Sequence, residues 1–162
     1  MIRGRFIHAA THLCGKMDDG KRSPIEQIML AVSLWARYRY EKKLPEIWDS
    51  TSGLGKPQAD VVIAPQYQTE NCRIDLAVFI NIFPNEETKI AVECDGHNFH
   101  AKEPEQVARD TARNGDLTIA GWRLQRFTGR QIRRNPNDCA ARVAKLVENE
   151  ITAQFARRGF IS

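Results

Sequence analysis

Three acidic residues stand where the surrounding sequence gives them no ordinary reason to be. Asp75 lies near the start of the apolar run Ile74-Leu76-Ala77-Val78-Phe79, and Glu93 and Asp95 close the run Ile90-Ala91-Val92. A carboxylate buried in such a strand needs a partner, because taking its charge out of water is costly. Alternate residues of a strand share a face, so Glu93 and Asp95 point the same way. If the two runs pair across Phe83-Pro84-Asn85-Glu86-Glu87, Asp75 joins them at one end of a sheet. Three carboxylates that close repel, and a cation relieves the repulsion. Hard oxygen donors on a rigid sheet suit Mg²⁺ or Mn²⁺. Such an ion can polarise a phosphodiester, activate a water and offset the charge that builds on phosphate oxygens. The rival reading is structural: each acid pairs with its own arginine, and Asp95-Gly96 is merely a turn.

Either imidazole of His97-Asn98-Phe99-His100, beside such a site, could orient or deprotonate a water or donate to a phosphate; the alternative for each is a loop side chain with no role. The same segment has the HxxH spacing of a zinc pair, but it follows a strand-ending Asp-Gly rather than lying on a helix. Lys102 is near enough in sequence to face a phosphate. Charge is distributed unevenly along the 162 residues: the segment from Gly121 onward carries a net +6, and the preceding part −2. A basic C-terminal third beside acidic chemistry fits a polyanion partner. Arg123, Arg126, Arg130, Arg133 and Arg134 become candidates for backbone phosphate contacts, which position a duplex without reading its sequence.

The elements that must hold these residues can be read from periodicity. Ser23-Pro24-Ile25-Glu26 has the form of a helix start, with Ser as N-cap, Pro in the first turn and Glu in a capping box. The apolar stripe behind it runs to about Arg39. Residues 48–57 read as irregular. Asp60–Ala64, Arg73–Ile80 and Lys89–Asp95 are strand-like, the last two forming an antiparallel pair. A charged helix follows from Pro104 to about Ala120, closed by Gly121. Trp122–Phe127 is a fourth strand, and Pro136 to about Arg158 a helix with the stripe Cys139, Val143, Leu146, Val147, Ile151 and Phe155. The order describes an α/β protein with a mixed sheet, one hairpin and a helical crossover. Residues 1–22 read as an N-terminal extension and 23–162 as a single domain.

The motif order Arg73-Ile74-Asp75, Val92-Glu93-Cys94-Asp95-Gly96 with Phe99-His100, Arg109-Asp110 and Gly121-Trp122-Arg123-Leu124-Gln125-Arg126-Phe127-Thr128-Gly129 resembles the very-short-patch-repair-like endonucleases. These form a branch of the restriction-endonuclease-like PD-(D/E)XK superfamily. The resemblance runs from about Ser23 to the final helix and implies the αβββαβ core of that superfamily, a mixed sheet flanked by helices. It implies a metal-dependent DNA endonuclease, with Asp75 and Glu93 as metal ligands. Asp95 occupies the place where other superfamily members carry a catalytic lysine; it would be a further ligand or a water-orienting acid. His100 would act as general base or phosphate donor, and Glu26 as an auxiliary acid from the first helix. The main alternative is a DNA-binding module on the same fold that does no chemistry, because the lysine is missing.

Composition narrows the setting. No apolar run approaches the ~20 residues that span a bilayer, so no membrane association is expected. The basic opening Met1-Ile2-Arg3-Gly4-Arg5 lacks the apolar centre of a secretory signal. Cys14, Cys72, Cys94 and Cys139 are too scattered for a zinc knuckle or disulfide framework, which suits a reducing, cytoplasmic compartment.

Overall fold

Runs of β-branched and aliphatic residues with little polarity form strands that are covered on both faces, and three such runs build the centre of this protein. The computed structural model describes residues 46–48, 50, 53–95 and 104–161. The helix expected from Ser23, and with it Glu26, lies outside those residues, as do His97, His100 and Lys102.

The sheet consists of β1 (Glu46–Ile47), β2 (Val61–Gln68), β3 (Arg73–Ile80), β4 (Thr88–Asp95) and β5 (Trp122–Thr128), paired in that order. β2–β3–β4 is an antiparallel meander, whereas β1 joins β2, and β5 joins β4, in parallel. Helix α1 (Pro104–Ile119) makes the crossover from β4 to β5. Gly121 ends it with φ +79°, a left-handed conformation open to glycine without steric cost, and its N–H donates to the Thr118 carbonyl. Helices α2 (Gly129–Arg134) and α3 (Pro136–Arg157) complete the described chain. The sheet is therefore mixed and flanked by helices, the α/β arrangement expected from the sequence.

Alternation along the strands separates two cores. On one face Ile63, Val78, Ile90, Val92 and Phe127 pack against Ile132 of α2 and against Cys139, Val143 and Val147 of α3. On the other, Ala64, Ala77, Phe79, Ala91 and Trp122 pack with Leu117 of α1. Burying a large aliphatic or aromatic side chain is worth roughly 1.5–3 kcal/mol, so these two layers dominate the fold's stability.

The structure differs from the sequence reading in three places. β2 continues past Ala64 to Gln68, through Pro65. Proline is tolerated there because, among the described residues, β1 pairs only with Val62 and Ile63 and no strand pairs with that edge of β2 beyond them. The segment 48–57, read as irregular, is preceded by the two-residue strand β1. A short helix, α2, separates β5 from α3. Its capping box has Thr128 Oγ1 accepting from the Gln131 N–H while the Gln131 side chain accepts from the Thr128 N–H.

The far end of the β3–β4 hairpin is held by α3. Gln154 is fully buried; its Nε2 donates to the Glu86 carbonyl at 2.8 Å and its Oε1 accepts from the Ile82 N–H at 3.2 Å. Glu150, 1% exposed, accepts from the Thr88 hydroxyl at 2.8 Å and from Arg157 at 2.9 Å. Burial alone would raise the Glu150 pKa; the bonds from Arg157 and Thr88, with the charges of Arg123 and Arg157, hold it below the ordinary value.

Candidate active site

The meander decides where the acids fall. Continuing the β3–β4 register past Leu76↔Val92 puts Asp75 beside Glu93. On the other side of β4, Glu93 pairs with Arg126 and Asp95 with Thr128. Glu93 shares the α1 face of the sheet with Ala91, and its carboxylate meets Arg113 of α1.

Asp75 is half-buried, and its Oδ2 accepts the Cys94 N–H at 2.8 Å. Glu93 is 3% exposed. Its Oε1 accepts from Arg113 Nη2 at 2.8 Å, and the same nitrogen donates to the Arg73 carbonyl at 2.6 Å. Burial and then the charge of Asp75 push the Glu93 pKa up to about 7, against the opposing pull of Arg113 and Arg126. Arg126, half-buried, donates to Asn114 Oδ1 of α1 at 2.5 Å. Across from Asp75 on β2, between the pairs Pro65↔Leu76 and Tyr67↔Ile74, stands Gln66 with φ +50°. A left-handed non-glycine residue inside a strand costs roughly 1–2 kcal/mol. That strain borders the acid pair, a setting in which backbone strain tends to collect.

The remaining candidates divide by place. Asp95 ends β4 opposite Thr128; its side chain lies outside the described part of the structure. Arg130, Arg133 and Arg134 are exposed on α2, which begins directly after Thr128 and so at the same end of the sheet as the acids. Arg123 is elsewhere. It stands near the opposite end of β5, on the other face from Arg126, and its Nη1 lies 2.7 Å from Glu150 Oε2. The structure therefore commits Arg123 to anchoring α3, away from the acid pair.

Arg113 was not singled out by the sequence reading. A helical-period argument was available for it: Arg113 and Leu117 are four residues apart on α1, and Leu117 is buried against the sheet. An arginine one turn before such a residue faces the same strands.

Among the described residues, no group of three or more His, Cys, Asp or Glu side chains is assembled to hold a metal ion. Asp75 and Glu93 nevertheless fit one as a partial donor set. They are adjacent hard-oxygen groups, and burial together with the charge of Asp75 raises the Glu93 pKa, a strain that a cation would relieve.

A mixed sheet with paired acids near one end, closed by a helical crossover and backed by a long helix, is a nuclease-like α/β architecture. The chain belongs to the restriction-endonuclease-like family REase_MTES_1575, whose model matches residues 57–147, more than half of its length. Membership in this family suggests a nuclease, for which DNA is the implied substrate and a divalent metal the usual requirement. No curated protein and no solved structure matches the chain significantly. No helix among the described residues is long and apolar enough to cross a membrane.

Proposed function

We propose that this protein is a Mg²⁺- or Mn²⁺-dependent DNA endonuclease that hydrolyses phosphodiester bonds, with Asp75 and Glu93 as the metal ligands. The observation that carries the reading is the pairing of half-buried Asp75 with buried Glu93 on adjacent strands, with the Glu93 pKa raised to about 7. A carboxyl near pH 7 sheds its proton readily when a cation arrives. When bound, the ion supplies Lewis-acid stabilisation of the charge that builds on a phosphate during hydrolysis.

The chain's own residues do the rest. The Cys94 N–H fixes one oxygen of Asp75, and Arg113 fixes one oxygen of Glu93, so both carboxylates are oriented before substrate arrives. Asp95, at the end of the same strand, is a further ligand or water-orienting acid. His100 is the general base or phosphate donor, and Glu26 an auxiliary acid, as in the very-short-patch-repair-like branch. Arg126, Arg130, Arg133 and Arg134, with Lys102, contact backbone phosphates. The exposure of the α2 arginines at the acid end of the sheet supports that assignment.

The test is incubation with supercoiled plasmid in Mg²⁺ or Mn²⁺, with and without chelator, beside Asp75→Ala and Glu93→Ala. Open circles appearing before linear product indicate nicking. Cleavage that survives either substitution refutes the site. Salt-sensitive DNA binding with no scission in any metal identifies a binding module instead.

A further inference from the structure

Arg113 joins three parts of the site through one nitrogen. Its Nη2 carries two hydrogens; one goes to Glu93 Oε1 on β4 at 2.8 Å and the other to the Arg73 carbonyl at the start of β3 at 2.6 Å. The side chain reaches them from α1 and remains 29% exposed, while the Glu93 side chain it meets is 4% exposed. Its charge thus enters from the solvent side onto a carboxylate that water hardly touches. A buried carboxylate beside a second one is strongly unfavourable when uncompensated. Arg113 is ion-paired to Glu93, and the charge of Arg126 also bears on it.

We infer that Arg113 is the resident counter-cation of the acid pair, a positioning residue with which a divalent ion must compete for Glu93. The inference rests on the metal-site reading above and extends it. With the guanidinium seated, the ion finds Glu93 Oε1 already bonded and a positive charge beside it. Two cations on one carboxylate repel, and in a partly buried site that repulsion is screened far less than in bulk water. Arg113 therefore stabilises the metal-free protein and weakens metal binding at the same time. It sets the cation concentration at which the site fills.

The experiment uses the full chain, with Mn²⁺ as the probe and titration calorimetry as the readout. Measurements are made at pH 8.5, above the Glu93 pKa of about 7. Wild type is compared with Arg113→Gln and Arg113→Lys, and thermal unfolding is recorded in chelator and in Mn²⁺. Arg113→Gln is expected to bind Mn²⁺ roughly tenfold more tightly, with a lower Tm in chelator and a larger Tm gain on adding Mn²⁺. Arg113→Lys keeps a charge without the planar fork and falls between. If Arg113→Gln does not fold, tighter binding by Arg113→Lys still supports the competition. A purely architectural role for Arg113 predicts the reverse, with a loosened Glu93 and weaker binding. Unchanged or weaker Mn²⁺ affinity in the variants, with wild-type binding intact, overturns the competition alone. Absence of Mn²⁺ binding in wild type and variants overturns the metal site and this inference together.

Discussion

Replacing Glu93 by glutamine tests whether the acid pair is held together against its own repulsion. Glu93 is 3% exposed, and its pKa is raised from the ordinary 4.5 to about 7 by burial and by Asp75. The unfolded chain ionises this carboxyl at the lower pH, the folded chain at the higher. Between the two, the folded state holds a proton that the unfolded state has lost, so stability falls as pH rises through that window. At about 1.4 kcal/mol per pH unit, the folded protein loses roughly 3 kcal/mol by the time both states are ionised. Glutamine has nearly the shape of the protonated side chain, can still accept from Arg113, and never ionises. Urea unfolding in chelator should therefore give similar stabilities for wild type and Glu93→Gln at pH 5. At pH 8.5 the variant should be the more stable by up to about 3 kcal/mol. Other groups titrating over the range cancel in the comparison. Adding Mn²⁺ at pH 8.5 should reverse the order, because only wild type gains the ion. A variant less stable than wild type at pH 8.5 in chelator would show that Arg113 more than compensates the carboxylate, and the reasoning fails.

Asp75→Asn keeps an acceptor for the Cys94 N–H but removes the charge of the proposed ligand. Plasmid cleavage should fall at least ~100-fold, while the melting temperature in chelator holds or rises. Gln154→Ala strands the Ile82 N–H and the Glu86 carbonyl; calorimetry should show a loss of about 2–3 kcal/mol, or roughly 4–12 °C in Tm for a chain of this size. Glu150→Gln should abolish a component of acid sensitivity. Because the pKa is depressed in the folded state, its stabilising contribution is present above the ordinary carboxylate range and is lost as pH falls, so the variant's stability should depend less on pH below about 5. Arg130→Ala and Arg134→Ala should each lower the slope of log affinity for duplex DNA against log salt by about 0.9, whereas Arg123→Ala, tied to Glu150, should leave that slope unchanged and reduce stability.

The residues show why some of this was legible in the sequence. β3 and β4 were readable because an apolar run interrupted by a single acid violates the burial rule at one position. Antiparallel pairing across a Pro-Asn turn then fixes which acids meet. The sequence reading of Asp60–Ala64 follows the β-branched run and stops before Pro65; that the strand continues is visible only from the pairing, because among the described residues β1 reaches no farther than Ile63. The capping box Thr128-Gly129-Arg130-Gln131 was present in the chain, yet α2 escaped notice because its six residues are too few to display a helical period. Arg123 and Arg126 look alike in the string Trp-Arg-Leu-Gln-Arg-Phe, but an odd spacing along a strand sends them to opposite faces. One meets Glu150 and the other turns toward Glu93. The roles of Glu150 and Gln154 could not be read, since both depend on partners more than sixty residues away.

Those distant partners bear on how the molecule comes into being. A nascent chain extended only to the end of β5 already holds both acids and, among the described residues, all five strands, but it lacks the α3 partners of the hairpin's outer turn. Thr88, Ile82 and Glu86 find their hydrogen-bonding mates only after residues 150–154 have left the ribosome. The contacts that fasten the turn of the hairpin bearing Asp75 and Glu93 thus come from more than sixty residues farther along the chain.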